Sequence, residues 1–85
     1  MATVTVRYFA AARAAAGTEV EELPLPAGPY TVDDVLRELS ARHGPGLSQV
    51  LGACSFLLDE VAVRSRSVPL SDGAVLDVLP PFAGG

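Results

Sequence analysis

Polar and apolar positions alternate along Thr3-Val4-Thr5-Val6-Arg7-Tyr8-Phe9, and this period of two over β-branched and aromatic residues predicts a strand. Val4, Val6 and Tyr8 share one face; Thr3, Thr5, Arg7 and Phe9 share the other. Ala10 to Ala16, interrupted only by Arg13, has high helix propensity in a stretch too short to stand alone, and Gly17 ends it. Glu19-Val20-Glu21-Glu22-Leu23 predicts a second strand in a hairpin with the first, and Pro24, Pro26, Gly28 and Pro29 mark a loop. The period then changes. Val32, Val35, Leu36 and Leu39 fall at i, i+3, i+4 and i+7, the apolar stripe of a helix. Thr31 is its candidate N-cap, with Asp34 three residues on. Asp33 and Asp34 in the first turn and Arg42 and His43 in the last suit the helix dipole, and Gly44-Pro45 stops it. Leu47, Val50 and Leu51 predict a further short helical turn before Gly52. Cys54 to Leu58 is a nearly continuous apolar run, the pattern of a buried strand. Asp59-Glu60 reads as a turn, Val61-Ala62-Val63 as a short returning strand, and Ser65 to Gly73 as a loop closing on Ser71-Asp72-Gly73. Ala74 to Leu79 alternates once more before Pro80-Pro81 breaks the ladder.

One amphipathic helix buries one stripe, so it is expected to cross one face of a single mixed sheet. A strand pair at each end with a helix between them predicts an α+β fold, the ubiquitin-like β-grasp, with the first and last strands parallel at the sheet centre. Residues 1–79 form that domain and 80–85 a flexible tail. An outward Asp77 carries Val75 and Leu79 to the outer face and leaves Leu76 and Val78 inside. Phe9 also faces outward. Phe9 and Leu79, with Phe82 beyond, are then expected to form an apolar docking patch at the root of the tail.

Composition narrows the chemistry more than it alters the fold. The chain has 85 residues, a formal net charge of −4, one cysteine, one histidine and no lysine. A single cysteine excludes an intramolecular disulfide framework and a cysteine-rich metal cage; a single histidine leaves little for a histidine metal cluster or a Ser-His-Asp relay. Lysine, isoleucine and asparagine are all absent, a pattern that GC-rich codon usage is enough to produce. No side-chain amine is therefore present to accept an isopeptide bond. The acidic balance argues against nucleic acid and favours partners with basic or apolar docking surfaces. No apolar run approaches the roughly 20 residues of a membrane span, so a cytoplasmic protein without membrane contact is expected.

Side chains offer few reactive candidates. Cys54 at the head of an apolar strand reads as a small core residue, and His43 as a surface residue complementing a helix dipole. Glu21-Glu22, Asp33-Asp34 and Asp59-Glu60 read as solvated pairs, and no glycine cluster precedes a helix as a phosphate loop requires. The ending Val78-Leu79-Pro80-Pro81-Phe82-Ala83-Gly84-Gly85 remains. Two prolines favour an extended direction away from the domain, and two glycines are slim enough to thread a narrow channel in another protein. The reactive group would be the α-carboxylate of Gly85, a poor electrophile until it is activated as a mixed anhydride.

Arg7-Tyr8-Phe9-Ala10-Ala11-Ala12-Arg13 with Gly17, the Pro69-Leu70-Ser71-Asp72-Gly73 turn and the Leu79-to-Gly85 ending resemble the MoaD family. Its members are small sulfur-carrying subunits of molybdopterin synthase, related to the ThiS carriers of thiamine synthesis. The resemblance covers nearly the whole chain; its most specific motif, Pro-Pro-x-x-Gly-Gly, is one that ThiS-type carriers usually lack. It implies a β-grasp fold and a non-catalytic carrier subunit that binds no cofactor or metal itself. A MoeB-like enzyme would use ATP to adenylate Gly85, and a sulfur donor system would convert the adenylate to a thiocarboxylate. The loaded tail, slim at Gly84 and Gly85, would enter a MoaE-like large subunit and donate sulfur to cyclic pyranopterin monophosphate. Arg13 matches a family position near the partner surface, and Phe9, Leu79, Pro80, Pro81 and Phe82 are expected to meet these partners. A carrier for thiamine or cysteine synthesis, or a ubiquitin-like modifier or interaction domain, are the alternatives.

Overall fold

The computed structural model describes residues 2–26 and 28–81. Its elements in chain order are β1 (Ala2–Tyr8), α1 (Ala11–Ala16), β2 (Val20–Leu25), α2 (Val32–His43), α3 (Pro45–Leu51), β3 (Ser55–Leu58), β4 (Val61–Ala62) and β5 (Val75–Leu79). The strands form one sheet in the order β2-β1-β5-β3-β4. β1 pairs antiparallel with β2, parallel with β5, and β5 pairs antiparallel with β3. Parallel neighbours need a long crossover, and here the helices and the β3–β4 hairpin lie between the two central strands in sequence. This is the ubiquitin-like β-grasp that the element order predicts.

Strand alternation and the helical stripe meet in one core. Val4, Val6, Tyr8, Leu23, Leu76 and Val78 from the sheet are buried against Val32, Val35, Leu36 and Leu39 of α2 and Leu47 of α3. α2 starts with a reciprocal capping box: Asp34 N–H donates to Thr31 Oγ1, and Thr31 N–H donates to Asp34 Oδ2 at 2.9 Å. α1 is below the length that is stable by propensity. It is held instead by a fully buried Ala12, packing against α3, and a left-handed Gly17 that closes its last turn.

The second strand does not end at Leu23 but runs through Pro24 to Leu25. Tyr8 N–H donates to Glu19 O, and the register pairs Thr3 with Pro24. Hydrogen-bonded and non-bonded pairs alternate, so the nitrogen of Pro24 faces the open edge, where no donor is required. Asp59 and Glu60 both take positive φ, at 49° and 70°, as a two-residue hairpin of right-handed twist demands.

Candidate functional site

β5 is braced along its whole length before it releases the tail. At its start, Asp59 N–H donates to Val75 O and Val75 N–H donates to Asp59 Oδ1, at 2.8 and 2.9 Å. The preceding turn is fastened to β1 by Thr3 N–H to Asp72 Oδ1 and Gly73 N–H to Thr3 O, both 2.8 Å. At its end, Phe9 N–H donates to Val78 O at 3.2 Å, while Ser55 of β3 stands opposite Leu79. The tail thus leaves from the middle of the sheet with a strand on either side.

The residues expected to meet partners fall into three groups. Carrying the Tyr8–Val78 register one step further sets Phe9 beside Leu79; Phe9 is 37% exposed, Leu79 and Pro80 are half-buried and Pro81 is exposed. Arg13 lies one turn along α1, exposed, in a shallow depression with Ala10, Ala14, Gly17, Thr18 and Glu19. Phe82, Gly84 and Gly85 lie outside the described residues, as does most of the predicted tail.

Asp77 shares the outer face with Val75 and Leu79, as alternation predicts, but it is not solvated: it is 4% exposed. Arg7, directly opposite in β1, covers it with a two-pronged ion pair, Nη2 donating to Oδ2 at 2.9 Å and Nε to Oδ1. The hydrogen bond and charge of Asp77 push the Arg7 guanidinium above its already high ordinary value.

Sequence reasoning missed a second polar cluster at this end of the sheet. Glu21 was expected in a solvated strand and His43 on the surface, yet they meet on the inner face. Tyr8 Oη donates to Glu21 Oε1 at 2.7 Å, His43 Nε2 lies 2.7 Å from the same oxygen, and Arg42 Nη1 donates to Oε2 at 3.1 Å. The ring of Tyr8 also meets that of His43 edge to face, with centroids 6.0 Å apart. Burial works to raise the Glu21 pKa, but the hydrogen bonds from Tyr8, His43 and Arg42 and the His43 charge outweigh it and hold the carboxyl below 4.5. Burial, then the bond to Glu21, drives the Tyr8 hydroxyl well above its usual range. The available signal was parity: Leu23 and Leu25 point inward, so Glu21 must too.

Little else among the described residues carries chemistry. Cys54 is buried as expected, its Sγ donating to Val50 O at 3.2 Å, and burial pushes its thiol up, away from reactivity. Among the described residues, no group of three or more His, Cys, Asp or Glu side chains could hold a metal ion, and no helix is long and apolar enough to cross a membrane.

The sequence profile of the ThiS family matches residues 6–85, from the middle of β1 through the final glycine. The chain belongs to the ThiS family. This ThiS-family chain shares the ubiquitin-like shape of the ThiS/MoaD sulfur carriers. Small archaeal modifier protein 1 from Haloferax volcanii is 26% identical to it over 98% of this chain and 99% of its own, with a TM-score of 0.84. The same-named protein from Methanosarcina acetivorans is 30% identical over 100% and 98%, at 0.82. A chain of the complex of subunits 1 and 2 of the molybdopterin-converting factor from Helicobacter pylori is 26% identical over 98% and 99%, at 0.70. No curated protein matches the ThiS-family chain.

Proposed function

We propose that this chain carries sulfur on the α-carboxylate of Gly85 and delivers it to cyclic pyranopterin monophosphate in molybdopterin synthesis. The observation that supports the reading is the family match running to Gly85, at the end of a tail that continues β5, the strand between β1 and β3. A Gly85 oxygen attacks the α-phosphorus of ATP on a MoeB-like enzyme, and pyrophosphate leaves. Sulfide-level sulfur from a donor system then forms the carbon–sulfur bond as AMP departs. The chain needs no catalytic side chain for either step, consistent with its single, buried cysteine. Its own part is to dock and to aim. Phe9, Leu79 and Pro80, with Pro81 and Phe82 beyond, present the apolar contact to the activating enzyme and to a MoaE-like large subunit, and Arg13 offers a charge beside it. The need for ATP and a sulfur donor supports a cytoplasmic setting for this work.

The Pro80-Pro81-x-x-Gly-Gly ending and the Helicobacter pylori subunit complex favour molybdopterin over thiamine as the destination. The likeness to the small archaeal modifier proteins favours a second use, attachment of Gly85 to lysines of other proteins. Reconstitution separates these. Sulfur-loaded chain mixed with a MoaE-like large subunit is expected to convert cyclic pyranopterin monophosphate to molybdopterin. A loaded chain that leaves the pterin unchanged but forms lysine conjugates in the presence of its activating enzyme would replace the first reading with the second.

A further inference from the structure

The two open edges of the sheet are built differently. Along β2 the nitrogens of Pro24 and, by the same parity, Pro26 face outward, so that edge offers few donors to another strand. Along β4, Val63 N–H donates to Phe56 O at 2.9 Å and the register pairs Leu57 with Ala62. Alternation therefore turns the N–H and C=O of Ala62 away from β3, toward solvent. The residues around it, Glu60-Val61-Ala62-Val63-Arg64, form a chemical palindrome of acid, valine, alanine, valine and base. Val61 is 68% exposed, the most exposed large apolar residue of the described chain. Arg7, Arg37 and Arg42 each pair with carboxylates of their own chain, whereas among the described residues neither Glu60 nor Arg64 forms an ion pair.

We propose that β4 is the contact strand of a symmetric dimer, in which a second copy of this chain lays its β4 antiparallel to the first about a two-fold axis at Ala62. In that register Ala62 exchanges two backbone hydrogen bonds with its counterpart and Val61 meets Val63, while Glu60, in the hairpin turn, and Arg64, two residues past the strand, come within side-chain reach of each other across the contact, each pairing occurring twice by symmetry. Sliding the strands by two residues loses both ion pairs, and sliding by one turns the valines to the wrong face, so the palindrome selects one register. β4 runs parallel to β5, since both are antiparallel to β3. The two tails therefore leave opposite ends of the joined sheet, and each remains free to enter an enzyme. So short a contact buries less than the roughly 1,200 Å² of a standard interface, so the association is weak and concentration-dependent. This inference does not rest on the sulfur-carrier reading.

Sedimentation velocity of the full chain, up to millimolar concentration, tests it. The wild type is expected to dimerise within this range. A62P removes an N–H that the β3 pairing does not use, and is expected to remain monomeric. R64E sets Glu60 against glutamate at both ends and is expected to weaken the dimer about tenfold. The swap E60R/R64E, which restores opposite charges, is expected to return it to near wild-type strength. A monomeric wild type, an A62P chain that associates like wild type, or a swap no stronger than R64E alone would each overturn the proposal. R64E and the swap change only exposed side chains, so they decide the matter even if A62P fails to fold.

Discussion

Glu21 binds three side chains from two elements, Tyr8 of β1 and Arg42 and His43 at the end of α2, and so fastens the helix to the sheet near the root of the tail. Its folded pKa lies below its ordinary 4.5, so the ionised form favours the fold. That contribution is complete above pH 4.5 and disappears as the pH falls from there through the lower folded value. Chemical denaturation across this acid range is expected to show wild-type stability falling, and E21Q, weaker at neutral pH, falling less steeply. An identical acid slope in the two proteins would remove Glu21 from the account. Glu60 makes the opposite kind of case. It holds a left-handed backbone at φ 70° that costs a residue with a Cβ about 1 kcal/mol. E60G is expected to stabilise the chain by up to about that amount, read from the denaturation midpoint. A loss of stability would mean that the Glu60 side chain contributes more than its backbone costs.

At the scale of elements, what could be read from the sequence follows the range of the interactions that decide it. α2 was legible from end to end because its cap, its stripe and its stop lie within its own turns. T31A removes half of the capping box and is expected to cost about 1 kcal/mol, whereas L39A empties a fully buried site and is expected to cost about 2–5 kcal/mol. Equal costs would contradict the difference drawn between a cap and a core contact. β2 was legible in its start but not in its end, because whether Pro24 can continue a strand depends on which way its nitrogen faces after pairing. The partners of Glu21 and Asp77 were hidden for the same reason. Each carboxylate is covered by a side chain from another element, Tyr8 and His43 in one case and Arg7 in the other, and no local pattern records that neighbour.

For the whole molecule, the central fact is that the strand releasing the tail lies between β1 and β3 rather than at an edge. The buried core spans Val4 to Val78, so the fold closes before the tail begins. Deleting Gly85 is accordingly expected to leave the thermal unfolding midpoint almost unchanged while abolishing sulfur loading. Phe82, Gly84 and Gly85, on which the proposed chemistry rests, lie outside the described residues. Intact-mass spectrometry of the chain, after incubation with ATP, a competent MoeB-like enzyme and a sulfur donor, reads their role directly. The account predicts replacement of one oxygen by sulfur in the wild type, mapped to Gly85, and no change in the chain lacking Gly85. A wild-type mass that stays unchanged beside a carrier that the same enzyme does load would contradict it.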